Sequence, residues 1–223
     1  MKKHLVSFRD FLKTGTLGPV SAGMKMIEVA ETLGPPDGWI TQHAKTVPVY
    51  WTFGKLEISF DEDAPHRMNW FQIEEAGCLE GDFEVLTDSL RLSLDGFTGD
   101  TKPSEFLAAG LWVPEKATVF YAAVSDDILL NVCAGPIQIH FRVDTDFIGD
   151  GDAERYLTDT SVSQLIGEIG SRAKLDSIYS YPHPALEQVP GAFNWKALSG
   201  RDYLNLVRQT APASHGKGPR RAP

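Results

Sequence analysis

Apolar residues recur at every second position through Gly54-Lys55-Leu56-Glu57-Ile58-Ser59-Phe60, where Leu56, Ile58 and Phe60 alternate with polar neighbours. A period of two is that of a strand with one face buried. The pattern returns eighty-one residues further on, with Gly54, Leu56, Ile58, Phe60 and Asp63 matched by Gly135, Ile137, Ile139, Phe141 and Asp144. The inward sets Leu56–Ile58–Phe60 and Ile137–Ile139–Phe141 are there to be buried, so any function belongs to the opposite face or to the loops at its ends.

The rest of the pattern supplies the elements around these strands. Ser7 reads as the cap of a first helix, with Phe8, Phe11 and Leu12 on one face and Gly15 ending it. Met26, Val29, Ala30 and Leu33 form the stripe of a second helix, stopped by Gly34-Pro35-Pro36, with Trp39 expected to fold back as a hydrophobic plug. Residues 47–53, 55–60 and 68–74 read as three strands, with Met68 and Trp70 on one side and Phe71 and Ile73 on the other. Residues 90–94 alternate as a strand, while 79–90 also fits a helix. Pro103 opens a short helix with Phe106, Leu107 and Leu111 inward, and residues 117–124 and 128–132 form a strand pair. Beyond the second copy, residues 161–173 carry a helical stripe, 180–191 are proline-bearing connectors, and 193–198 with 202–207 read as a last helix. The expected fold is therefore α+β: two related units of short helices packed on antiparallel sheet, with a helical C-terminal segment. The corresponding domains are 1–78, 79–160 and 161–209, followed by a disordered tail at 210–223.

The run Leu17-Gly18-Pro19-Val20-Ser21-Ala22-Gly23-Met24 with its following helix, and Tyr50-Trp51-Thr52-Phe53-Gly54-Lys55-Leu56, carry a likeness at Gly23, Met24, Val29, Leu33, Gly34, Pro36, Trp51, Phe53, Gly54, Leu56 and Phe60. These positions resemble the helix-helix-three-strand modules of the BamE/SmpA and β-lactamase-inhibitor-protein type, over about the first third of the chain. The resemblance implies a small α+β module used for protein–protein contact, with immunity-like bacterial proteins among its bearers.

Charge narrows the choice of partner. The net charge is −9 at pH 7, and the last nine residues hold three cations and no acid, so the body is more acidic than the total. That argues against nucleic acid and anionic membrane surfaces and is compatible with a basic protein partner. No membrane-length apolar run or signal-peptide core is visible, and the expected compartment is the cytoplasm. Cys78 and Cys133 are too few for a disulfide framework and read as buried free thiols.

Chemistry-bearing motifs are scarce. The acidic stretch Asp144 to Asp152 fails the calcium-loop test, because Ile148 and Arg155 stand where oxygen ligands are needed. The glycine loops at Gly15–Gly18 and Gly96–Gly99 lack the lysine of a phosphate loop, and no nucleophile elbow or paired-histidine metal motif occurs. No catalytic residue, metal or cofactor is assigned. The candidate binding residues are Trp51, Phe53 and Trp70, taken as one sheet face, with Glu57, Asp61 and Glu62 nearby and His140 in the second copy, where Ser59 is its counterpart. The sequence thus reads as a cytoplasmic acidic protein-binding module, an immunity-type inhibitor or adaptor. The alternatives are a scaffold protein, including a homodimer through sheet edges, and an enzyme whose site is not visible in the sequence. A pocket with converging titratable groups near His140 or Asp144 would favour the enzyme.

Overall fold

The structure, a computed structural model, describes residues 3–41, 47–124, 127–143, 162–188 and 195–210. Fourteen strands occur among them: β1 (His4–Ser7), β2 (Thr16–Leu17), β3 (Val20–Ser21), β4 (Gly38–Ile40), β5 (Tyr50–Phe53), β6 (Leu56–Phe60), β7 (Met68–Ile73), β8 (Phe83–Val85), β9 (Leu90–Ser93), β10 (Thr118–Val124), β11 (Asp127–Ala134), β12 (Ile137–Val143), β13 (Ala173–Ser180) and β14 (Lys196–Ser199). The α-helices are α1 (Phe8–Thr14), α2 (Met26–Leu33), α3 (Pro103–Ala108), α4 (Val162–Arg172) and α5 (Gly200–Thr210).

Nine strands form one sheet in the order β14-β10-β11-β12-β13-β7-β6-β5-β4, and every pairing in it is antiparallel. This overturns the expectation of two helix-on-sheet units with a helical C-terminal segment. The protein is mostly β, and its two halves share a single sheet. The C-terminal third supplies β13, which pairs with β12 on one side and β7 on the other. It also supplies the edge strand β14, where a helix was expected. The sequence repeat is real but local, confined to the hairpins β5-β6 and β11-β12. Each turns at a glycine of positive φ, +55° at Gly54 and +56° at Gly135. Each second strand carries a register shift one pair before its phenylalanine, at Ser59/Phe60 and at His140/Phe141.

Two neighbouring cross-strand rows show why the sheet has an inside and an outside. Phe53, Leu56, Ile73, Ile178, Ile139, Val132, Val119 and Leu198 lie opposite one another across eight strands. The next row, one residue away, is Thr52, Glu57, Gln72, Tyr179, Gln138, Cys133, Thr118 and Ser199. Because alternate residues point to opposite faces, the apolar row faces the core and the polar row faces away from it. Each buried isoleucine of the first row is worth about 1.5–3 kcal/mol over its exposed state.

The helices pack on the apolar face. Ser7 caps α1 by accepting from the Asp10 N–H, and Gly15 closes the helix in the left-handed region. The Phe11 ring lies 5.8 Å from Phe71, and Phe106 of α3 lies 5.9 Å from Phe141. Ile166 and Ile169 of α4 and Tyr203 and Leu204 of α5 join the same core. A second sheet of order β1-β9-β8, with β1 and β9 parallel, adds Val6, Leu90 and Leu92 to it.

Several local expectations change. Trp39 is not a plug: it lies on edge strand β4 and is 63% exposed. The register shift between Ser59 and Phe60 returns Met68 to the core beside Phe71 and Ile73, leaving Trp70 on the outer face. Residues 83–85 and 90–93 are strands rather than a helix over 79–90. Cys133 is buried, but Cys78 is exposed, and both are free thiols. The acidic stretch Asp144–Asp152 and the tail from residue 211 lie outside the described residues.

The two hairpin glycines make a paired test. A Cβ on Gly54 would collide with the backbone carbonyl of Leu86, whereas one on Gly135 would meet open space. Both substitutions force an L-residue into the left-handed region, a strain of about 1–2 kcal/mol. Gly135→Ala is expected to lower the urea unfolding free energy by about that amount, and Gly54→Ala by roughly twice as much or more. Equal losses would show that the Leu86 contact does not constrain the turn.

Candidate functional site on the outer sheet face

The outer face of the central strands is neither a plain solvated surface nor a second core. From β5, β7 and β13 it receives Tyr50, Trp70 and Tyr179, whose rings form a chain: Tyr50 to Trp70 at 5.9 Å and Trp70 to Tyr179 at 5.3 Å. Tyr179 then meets His140 of β12 at 4.7 Å and stacks on Tyr181 at 6.0 Å. All five rings are half-buried, so the chain is ordered by its neighbours while keeping surface free for contact.

Beside this chain stand two carboxylates, Glu57 on β6 and Glu74 just past β7. The Gln72 amide lies between them, donating to Glu57 and reaching Glu74 at 3.4 Å. The Glu74 carboxyl is held above its ordinary range, first by burial and then by the charge and hydrogen bond of Glu57. Tyr179 is raised as well, by burial and by the nearby Glu57 charge.

Two clefts flank the ring chain. One of about 610 Å³ is lined by Asp61, Arg67, Asn69, Trp70, His183 and Gln188, together with Gly23, Met68 and Pro182. The other, about 300 Å³, is lined by Asn131, Gln138, His140, Arg142, Asp176 and Trp195, with Asp127 and the strand residues Ile128, Leu129 and Phe141. Arg142 and Asp176 form a 2.9 Å ion pair at its mouth. Burial drives the His140 imidazole down to about 4, against a smaller opposing pull from Asp176, so the ring is neutral at pH 7. A 3-10 turn at Ala185–Gln188 and Trp195 cover the far end of this face, where Ala185 and Trp195 pack with Phe120 and Cys133.

The residues expected to act together are divided by the sheet. Trp51 and Phe53 are 9% and 3% exposed and face the core, paired with Ile58 and Leu56, because they occupy the same alternation phase as those apolar partners. Trp70 and Glu57 are on the outer face. Asp61 lines the larger cleft, and Glu62 is exposed on the loop after β6. His140 is on the face opposite Ile137, Ile139 and Phe141, as alternation requires, and is partly covered. Tyr50, Gln72, Glu74, Gln138, Asp176, Tyr179, Tyr181 and Trp195 were not singled out from the sequence. The missing signal is β13: the irregular pairing between His140/Ser177 and Phe141/Leu175 inserts Asp176 and breaks the alternation of residues 173–180, so the strand carrying Tyr179 does not declare itself.

No group of three or more His, Cys, Asp or Glu able to hold a metal occurs among the described residues. Nor is any helix among them long and apolar enough to cross a membrane. Comparison with protein-family models, curated proteins and solved structures returned no match.

His140 gives this face a pH signature. Its folded pKa lies below the ordinary value of about 6.5, so the unfolded chain takes up the proton first as pH falls. Its contribution is therefore complete above pH 6.5 and is lost as pH falls through 6.5 toward 4. In urea titrations of wild type and His140→Asn, the wild type is expected to lose about 3 kcal/mol relative to the variant between pH 7.5 and 4. A difference that stays constant with pH would mean that the imidazole is not held neutral by burial.

Proposed function

We propose that the chain is a protein-binding module, a cytoplasmic inhibitor or adaptor of the immunity type, which receives basic side chains of its partner on the outer sheet face. The observation that carries this reading is the Glu57–Glu74 pair. Two carboxylates held beside one amide, one of them raised by burial and by the other, are less stable than separated ones. A lysine or arginine brought against the pair would relieve the repulsion and gain charge-assisted hydrogen bonds. The exposed parts of Trp70 and Tyr179 would meet the same cation, an interaction worth about 0.5–2 kcal/mol depending on desolvation.

The whole-chain charge of −9 supports the same partner chemistry, since an acidic body accelerates encounter with a basic one. The likeness of the first third of the chain to protein-contact modules points the same way. Binding by side chains on this half-covered sheet face also accounts for the half-burial of the ring chain, because such anchors are most effective when already ordered.

The test uses two variants with the same loss of charge. Glu57→Gln/Glu74→Gln removes the pair, whereas Glu80→Gln/Asp88→Asn removes two exposed carboxylates elsewhere. A partner captured stoichiometrically by the wild type and the second variant is expected to bind the first at least about tenfold more weakly, with the first variant melting no lower than wild type. Equal binding by all three proteins would overturn the assignment.

A further inference from the structure

The smaller cleft contains chemistry that a basic protein partner does not use. Gln138 is 2% exposed, yet its Oε1 has no hydrogen-bond partner among the described residues, and the same is true of the buried Nε2 of His140, two residues along on the same face. Leaving a buried donor or acceptor unpaired costs about 1–3 kcal/mol, and native proteins rarely leave two side by side. Both residues line the cleft, as does the carboxamide of Asn131, itself 4% exposed. The floor is therefore a set of neutral hydrogen-bonding groups.

We propose that this cleft binds a small, neutral, planar molecule with an N–H donor next to an acceptor, the chemistry shared by a nucleobase edge and an aromatic carboxamide. The N–H meets Gln138 Oε1, which has no bond among the described residues to give up when its carboxamide turns into the cleft. The acceptor and any second donor meet His140 and Asn131. Planarity follows from the aromatic lining: the Trp195 indole stands at the cleft, and the Tyr179 ring packed against His140 holds the imidazole whose edge offers the hydrogen bond. Neutrality follows from the charges. Among the described residues that line the cleft, Arg142 and Asp176 already pair with each other, and Asp127 is the remaining charge. An anion would therefore meet a carboxylate, and any ion would be desolvated against a floor without a countercharge. A volume of about 300 Å³ suits a single ring system and lies at the lower end of ligand-pocket sizes.

The test titrates the full chain with uncharged nucleosides and with nicotinamide and benzamide, following the indole N–H of Trp195 and the ring protons of His140 by NMR. At least one probe is expected to saturate those signals, the two sets of probes separating a nucleobase from a carboxamide ligand. Gln138→Met keeps the side-chain length and removes the acceptor, and it is expected to weaken that probe by about tenfold or more. Its melting temperature should equal or exceed that of the wild type, since an unpaired buried polar group has been replaced by an apolar one. Trp195→Phe should weaken the same probe while the fold is retained. The proposal is overturned if no probe binds up to its solubility limit or if Gln138→Met binds as tightly as the wild type. It is also overturned if Gln138→Met melts several degrees lower, which would show that structural water satisfies the carboxamide. None of these substitutions touches Glu57 or Glu74, so this result and that of the charge-pair test are independent.

Discussion

Three residue pairs join the two halves of the sheet: Phe71 with Ser180, Gln72 with Tyr179, and Ile73 with Ile178. This short antiparallel ladder between β7 and β13 turns two sets of strands into one surface. Its central pair sits on the outer face and its flanking pairs on the core face. Through Gln72 the ladder reaches Glu57 and Glu74, and through Tyr179 it reaches His140 and Gln138. Without that ladder the carboxylate pair and the neutral cleft would belong to different surfaces. Ser180 adds a further tie by donating its hydroxyl to the carbonyl of Gly15, which anchors the end of β13 to the end of α1.

The sheet is buried on both faces near its centre, but by different means. On the inner face the apolar rows meet helices. On the outer face Gln72, Asn131, Gln138 and Ser177 are all less than one-tenth exposed, although their neighbours are tyrosines, a histidine and a tryptophan rather than an aliphatic layer. Polar groups in such a place are tolerated when paired, as Gln72 is with Glu57. They demand an explanation when they are not. The outer face thus holds two departures from a stability-optimised surface, a repelling pair of acids and an unpaired carboxamide beside an imidazole. Departures of this kind concentrate where a protein engages something else.

Much of the inner half of this architecture was legible in the chain. The Leu56–Phe60 and Ile137–Phe141 alternations, the Ser7 cap and Gly15 stop, and the stripe of α2 all rest on short-range periodicity, and local sequence records it. The outer face was less legible for three physical reasons. Trp51 and Trp70 are both aromatic, and only the strand register shows that one packs inward and the other outward. β13 hides its alternation behind an inserted residue. Most of all, the adjacency of β7 and β13 is a long-range pairing, and nothing at residues 68–73 names the segment that will lie beside it. The same gap explains the expectation of two units: a repeated hairpin shows that similar pieces exist, not whether a later strand will join them.

The position of β13 also has a consequence for synthesis. It begins a hundred residues after β7 ends, so at ribosomal speeds of about 5–20 residues per second the earlier strands wait roughly 5–20 s for their neighbour. During that time β7 presents an open edge bearing Phe71 and Ile73, and β12, once made, presents another. Open apolar edges invite pairing with other chains. The strand that completes the outer face is therefore also the one that withdraws both edges from competition, and a chain ending before residue 173 would keep them exposed.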